Sequence, residues 1–298
     1  MNAVEIRAVT KRFGDFVAVN DISLNVPAGS IYGILGPNGA GKTTTIRMIC
    51  GIFGPDRGSV QVLGAPSALS VRNRVGYLPE EKGLYKKMTA LDLLTYFGGL
   101  KGVAPAEARR RGKALMERYG LGEHVNKKAE AMSKGMHQKL QLLVTVLHEP
   151  ELLILDEPFS GLDPVNHDTM RDLILDQRRA GRTILFSTHN MESAEKMCDH
   201  VCLFNRGQKV LDGTMSGVKA NHSGGVILEY DGDAGFLQEL PEVDRVNDST
   251  RYAEVFLKDS IPPHALLKKA MERLTIRRFE ISQPSLHEIF VRTVKEAP

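Results

Sequence analysis

The chain has 298 residues, of which 42% are hydrophobic and 25% charged, with a formal net charge of +3. That composition excludes an intrinsically disordered, fibrous or disulfide-scaffolded protein and fits one large or two ordinary domains. The best apolar run, 140–155, is broken by His148, Glu149, Pro150 and Glu151, and the N-terminus lacks an apolar leader, so a chain that neither spans a membrane nor carries a secretion signal is expected.

The first 30 residues read as short strands and turns. Ser30–Leu35 is a small apolar strand that runs into a Gly-rich turn and then a helix from Thr43 to about Cys50, ended by Gly51. Residues 55–75 return to short strands punctuated by Pro55, Gly58 and Gly64. Residues from about 89 to 147 are mostly helical, with Leu140, Leu143, Val144 and Leu147 spaced along one helical face. A buried strand follows at Leu152–Leu155, then a helix from Pro164, a strand at Thr183–Ser187, a helix around Met191–Cys198 and a strand at His200–Phe204. Alternating strands and helices predict an α/β core with a largely parallel sheet.

Composition shifts at Lys219–Gly225, which reads as a linker and sets expected domains of 1–219 and 220–298. The second is read as a small α+β domain. It shows period-2 segments at Val226–Tyr230 and Tyr252–Leu257, an amphipathic helix between Pro262 and Leu274, and a strand at Arg277–Ser282. Its last helix starts at Ser285, with Glu288 completing a capping box.

Charge is unevenly spread. Residues 101–139 hold ten Lys/Arg against four Asp/Glu, whereas 220–298 hold ten against thirteen. The run Arg109-Arg110-Arg111 has no interleaved aromatic residues, so it is read as a solvated helix face and no nucleic-acid partner is expected. The odd set Cys50, Cys198 and Cys202 fits a reducing compartment. Around His200 the Cys-x2-Cys spacing of a metal site is missing, which favours packed apolar thiols.

Two motifs carry chemistry. Gly36-Pro37-Asn38-Gly39-Ala40-Gly41-Lys42-Thr43, continued by Thr44, fits the phosphate-loop pattern between a strand and a helix. Its backbone N–H groups are suited to a polyphosphate, Lys42 to the β- and γ-phosphates, and the Thr43 hydroxyl to Mg²⁺. The strand Leu152–Leu155 ends in Asp156 and Glu157. Asp156 is placed to hold Mg²⁺ through water, and Glu157 to orient or deprotonate an attacking water.

Between these motifs, Met132-Ser133-Lys134-Gly135-Met136 resembles the Leu-Ser-Gly-Gly-Gln signature of the ATP-binding cassette (ABC) ATPases, with Lys134 in place of the first glycine. Further family landmarks follow in order. Ser160-Gly161-Leu162-Asp163-Pro164 is similar to the D-loop, and Asp163 also reads as a helix N-cap with Pro164 at the first helical position. His189 matches the switch histidine. Phe13 matches the adenine-stacking aromatic, with Phe16 the alternative. Gly76-Tyr77-Leu78-Pro79 leads to Glu80 where the family's Q-loop has glutamine. A carboxylate at Glu80 can ligate Mg²⁺ or orient water but adds charge near a polyphosphate, which Lys134 partly offsets. The resemblance covers about residues 1–217.

The C-terminal part, with Phe279 and Gln283–Phe290, resembles the small extra domain of many ABC-2 type ATPase subunits, and residues 76–85 point to the same branch. The resemblance implies a P-loop NTPase fold with a RecA-like core, an antiparallel β subdomain and a helical subdomain, plus a C-terminal α+β domain. It implies an ATPase using ATP and Mg²⁺, with Lys42, Glu157, His189 and Glu80 catalytic and Thr43, Asp156 and Glu80 toward the metal. It implies a head-to-tail dimer in which Ser133 and Gly135 complete the partner's nucleotide site. The partners would be separate membrane permeases, which hold the chain at the cytoplasmic face. Two other readings stand beside it: a soluble ABC ATPase in translation or DNA maintenance, and a weakly or non-hydrolysing regulatory subunit motivated by Glu80 and Lys134.

Overall fold

The computed structural model describes residues 1–81, 83–220, 225–258 and 261–296, and the chain divides into two compact units, Met1–Gly213 and Thr214–Pro298. In the first unit, residues 1–30 form two long strands rather than several short ones. β1 (Asn2–Phe13) and β2 (Phe16–Pro27) make an antiparallel hairpin. Register shifts between Ile6 and Val9 and between Val9 and Lys11 interrupt the alternation, which is why the sequence reads as fragments. Next come β3 (Ile31–Leu35), α1 (Lys42–Ile49) and β4 (Arg57–Val62), and β4 adds to β1 to give a sheet of order β2-β1-β4. Residues 68–74 are a 3₁₀ segment capped by Ser67 and not a strand. The inner face of this sheet shares one apolar core with Ile46 and Ile49 of α1 and Tyr32 and Ile34 of β3.

The chain continues through β5 (Val75–Leu78), α2 (Ala90–Leu100), α3 (Pro105–Arg118), α4 (Lys134–Val146), β6 (Leu152–Asp156) and α5 (Pro164–Arg179). It then passes through β7 (Thr183–Thr188), α6 (Met191–Met197), β8 (His200–Asn205) and β9 (Gln208–Thr214). The central sheet has the order β5-β6-β7-β3-β8-β9. The β5–β6, β6–β7, β7–β3 and β3–β8 pairs are parallel. Every residue of β3, β6 and β7 is buried, as expected for central strands covered on both faces. β9 returns beside β8 after Arg206 (φ 47°) and Gly207 (φ 75°), the two positive φ values of a tight antiparallel hairpin. The order β6-β7-β3 brings three loops together at the carboxyl ends of neighbouring strands, where open α/β sheets bind ligands. Those loops carry Asp156–Glu157, His189 and the phosphate loop. The fold is therefore the expected P-loop NTPase with antiparallel and helical subdomains.

α7 (Met215–Ala220) falls in the second unit, so the structural divide precedes the composition shift. Residues 221–224, the centre of the expected linker, lie outside the described residues, as does Lys82 in the 76–85 motif. The second unit contains β10 (Gly225–Asp231), β11 (Val243–Ser249), β12 (Tyr252–Leu257), α8 (Pro263–Met271), β13 (Thr275–Ile281) and α9 (Leu286–Glu296). Its antiparallel sheet has the order β11-β12-β10-β13. Val226 and Leu228 of β10, Ala253 and Val255 of β12, and Leu266 and Ala270 of α8 form its core. β11 gave no signal in the sequence because it is a mostly exposed, polar edge strand. The capping box is present: the Ser285 N–H donates to Glu288 Oε2 (2.8 Å) and the Glu288 N–H to Ser285 Oγ (3.2 Å). Among the described residues, no helix is long and apolar enough to cross a membrane.

Candidate active site

The phosphate loop is shaped by backbone that only glycine tolerates. Gly36 (φ 147°) and Gly41 (φ 101°) are both in the positive-φ region. A Cβ on Gly36 would run into the Phe204 carbonyl oxygen, and one on Gly41 would lie 2.6 Å from that of Ala18. Helix α1 starts directly after the loop with neither a side-chain cap nor an acidic residue in its first turn. Its N–H groups and positive dipole end are therefore left for an anion. Lys42 is buried, and its Nζ donates to the carbonyls of Gly36 (2.8 Å) and Pro37 (3.2 Å).

Facing the loop is a carboxylate pair. Asp156 Oδ1 accepts from Ser187 Oγ (2.6 Å) and Thr43 Oγ1 (3.2 Å). Its other oxygen, Oδ2, is buried and has no hydrogen-bond partner. Burial pushes the Asp156 carboxyl up, against the hydrogen bonds from Ser187 and Thr43, and the neighbouring Glu157 charge pushes the same way as burial. A buried carboxylate oxygen left without a donor, beside a threonine hydroxyl, fits a hard divalent cation, which takes oxygen ligands and removes that penalty.

Glu157 follows in the left-handed region (φ 48°), a strained setting for a glutamate. Its N–H donates to Ser187 Oγ (3.0 Å), Oε1 lies 3.3 Å from Lys42 Nζ, and Oε2 lies 3.1 Å from His189 Nδ1. The structure thus gathers Lys42, Thr43, Asp156, Glu157 and His189 into one cluster. A 370 Å³ cavity over the cluster is lined by loop residues 38–44 with Glu80, Glu157, Ser160 and His189. Glu80 also lines an adjoining 180 Å³ cavity with Lys134, Asp156 and Glu157. The two departures from the family pattern therefore meet beside Asp156 and Glu157.

Other expected site residues lie elsewhere. Ser133 caps α4, accepting the Met136 N–H (3.3 Å), and Asp163 caps α5, accepting the Asn166 N–H (3.0 Å). Gly135 packs against Asn166, where a Cβ would come 2.6 Å from its Cγ. None of the three lines the phosphate-loop cavity of the same chain. Of the two aromatic candidates, Phe16 lines the cavity, whereas Phe13, its partner across the hairpin, packs edge-on against Phe53 at 5.7 Å.

Sequence reasoning did not single out Ser187, whose hydroxyl holds both acids, or Gln138, whose Nε2 donates to the Pro158 carbonyl (2.6 Å). A serine directly after the apolar run 184–186 of strand β7 was the available signal. Cys198 and Cys202 are buried free thiols, and burial raises both above the ordinary thiol value.

Comparison with known proteins agrees with this geometry. The family described as "ABC transporter" matches residues 19–160, and "ATP-binding protein DrrA1-3-like, C-terminal domain" matches residues 213–294. The uncharacterized ABC transporter ATP-binding protein YhaQ of Bacillus subtilis (strain 168) is 39% identical over 287 residues, 96% of each chain. The chain belongs to the ABC transporter ATP-binding proteins. The Nod factor export ATP-binding protein I of Paraburkholderia xenovorans (strain LB400) is 33% identical, covering 97% of this chain and 96% of the relative. A solved "ATP binding subunit of ABC transporter" is 31% identical with a TM-score of 0.68, covering 74% of this chain and 92% of that one. This ABC protein is thus an ATP-binding and ATP-hydrolysing transporter subunit. The non-hydrolysing reading of Glu80 and Lys134 is set aside.

Proposed function

We propose that this ABC ATPase drives an ABC-2 type exporter, closing and reopening as a head-to-tail dimer against separate membrane subunits. The observation that carries the exporter reading is the extent of the relationship. An export ATP-binding protein aligns over 97% of this chain, so the second unit is included as well as the cassette.

The site geometry supports the following division of labour. Lys42 leaves the Gly36 and Pro37 carbonyls for the β- and γ-phosphate oxygens, and the N–H groups of residues 38–44 cradle the remainder. Thr43 and Asp156 would hold Mg²⁺, with Glu80 as a further ligand, and a bound ion would supply screening of the charge that builds on the phosphates. Glu157 accepts the proton of the attacking water, and His189, held against it, fixes the carboxylate and meets the γ-phosphate. Ser133, Gly135 and Asp163, which lie outside the same chain's cavity, act across the dimer. There the α4 N-terminus offers its donors to the second nucleotide. The adenine stacks on the β1–β2 hairpin, on Phe13 or Phe16.

The test is Glu157→Gln in the full chain. It should bind ATP and dimerise while turnover falls about 10²–10⁴-fold. Near-normal turnover would remove Glu157 from its role. For the exporter reading, the wild-type chain should co-purify with a membrane protein and support ATP-dependent efflux when both are placed in vesicles. ATP-dependent uptake, or an ATPase that associates only with ribosomes or DNA, would refute it.

A further inference from the structure

Away from the nucleotide, the arginines of α3 are not simply a solvated face. Arg110, Arg111 and Arg118 converge with Arg179 and Arg182, distant in sequence, on a cavity of 560 Å³. That volume lies within the usual range for small-molecule sites. The carboxylates on these five guanidinium groups are Asp176, Glu149 and Glu107, which leaves an excess of two positive charges.

Asp176 shows how the groups converge. Its two oxygens accept from Arg118 Nη2 (2.6 Å), Arg179 Nη1 (3.1 Å) and the Tyr119 hydroxyl (2.9 Å). Each guanidinium has five donors in a planar fork, so most of the N–H groups of Arg118 and Arg179 stay available to a second anion. Both side chains are largely exposed, whereas Arg182 sits deeper at 18% exposure. Leu115, Val146 and Leu147 supply an apolar wall.

The cavity also lies at the far end of the two helices that leave the nucleotide motifs. α4 starts at Ser133 and ends at Val146, and α5 starts after Asp163 and ends at Arg179. Each spans about 20 Å as a rigid rod.

We propose that this arginine-lined cavity binds a phosphate-bearing anionic ligand, and that α4 and α5 carry its binding to the signature and D-loop ends. Bidentate guanidinium–phosphate pairing is the interaction that uses these forks. The excess charge disfavours a neutral occupant.

The test uses the full chain saturated with Mg-ADP, so that the phosphate loop is filled. The probes are inorganic tripolyphosphate and vesicles of phosphatidylglycerol or phosphatidylcholine. The wild type should bind tripolyphosphate or the phosphatidylglycerol vesicles, and which of the two binds identifies a free phosphate or a lipid headgroup as the source. The Arg118→Ala/Arg179→Ala double variant should bind at least tenfold more weakly. Asp176→Asn, which removes a resident competing carboxylate, should bind more tightly. Arg7→Ala, an exposed charge elsewhere, should leave binding unchanged. The bound probe should also shift ATP turnover at saturating ATP in the wild type and not in the double variant. Equal binding by the double variant, equal loss in Arg7→Ala, or no binding by either probe would overturn the site. Binding without any change in turnover would overturn the coupling.

Discussion

The two units of the chain treat charge in opposite ways. All the buried polar and charged residues among those described belong to the first unit, including Lys42, Asp156 and Glu157 at 5%, 1% and 7% exposure. The second unit has an apolar core, and pairs such as Arg277–Asp231 and Arg278–Glu229 lie open to solvent. Burying an ion costs far more than a surface pair returns. A fold keeps such a cost where chemistry needs a poised, water-excluded group. The strained Glu157 backbone and the orphaned Asp156 oxygen add to that cost at the same place. The contrast places ATP chemistry in the first unit and, among the described residues, leaves the second without a comparable buried polar cluster. We propose a regulatory or dimer-stabilising role for the second unit.

The largest expected effect that tests this contrast is at Ser187. Its hydroxyl is the shared support of both acids: it donates to Asp156 and accepts from the Glu157 N–H. Ser187→Ala should leave a buried N–H unpaired and free the Asp156 carboxylate to rotate. Turnover should fall roughly 10- to 100-fold if Asp156 holds the metal as proposed, the usual cost of removing a partner behind a metal ligand. The magnesium concentration for half-maximal rate should rise as well. A full-rate Ser187→Ala enzyme would mean that the buried polar cluster is structural. In the second unit, the corresponding test is Leu228→Ala, which empties a fully buried position on β10. It should destabilise that unit by about 2–5 kcal/mol. The ATPase rate of the first unit should be unchanged at temperatures where the second stays folded.

The sequence made the phosphate loop, Asp156, Glu157 and His189 legible because each sits in a short contiguous motif at the end of an apolar strand. Strand and helix order was legible for the same reason: the apolar runs 31–35, 152–155 and 184–186 mark β3, β6 and β7. Features made by residues distant in the chain were not. The bulged pairing of β1 and β2 scattered its alternation, and β11 lacked a buried face. Ser187 acquires its role only when β7 pairs with β6, in register Asp156–Ser187. The arginine cavity is likewise invisible until α3 meets the end of α5. Glu80 and Lys134, separate oddities along the sequence, line one cavity with Glu157. Glu80→Gln and Lys134→Gly should therefore be non-additive in turnover, with the double variant closer to wild type than the worse single. Additive effects would show that the two departures act independently.

A smaller effect concerns a half-buried ionisable group outside the acid cluster. His148 has Nε2 3.3 Å from the Val75 carbonyl, and burial, with help from the Lys101 charge, pulls its pKa down to about 4. Its folded state prefers the neutral ring. The stabilisation is therefore full above the ordinary histidine pKa of about 6.5 and is lost as pH falls toward 4. His148→Gln should flatten the stability profile of the chain between those values and leave the profile above pH 7 unchanged in slope. An unchanged acid limb would mean that His148 is protonated as readily in the fold as outside it.

The smallest effect should come from the surface of the second unit. Arg277 pairs with Asp231 across β13 and β10, with the arginine 62% exposed and the aspartate 38%. A pair so open to solvent gains little Coulomb energy and loses side-chain entropy, so Arg277→Ala should change unfolding free energy by no more than about 1 kcal/mol. Salt should shrink even that difference, because charges at the surface are screened within roughly 10 Å at 0.1 M. Denaturant unfolding of wild type and variant at low and high salt separates the cases. A loss well above 1 kcal/mol that persists in high salt would mean that this pair is desolvated in the working protein. The contrast between the two units would then fail on the side of the second unit, whose charged face would be covered by a partner.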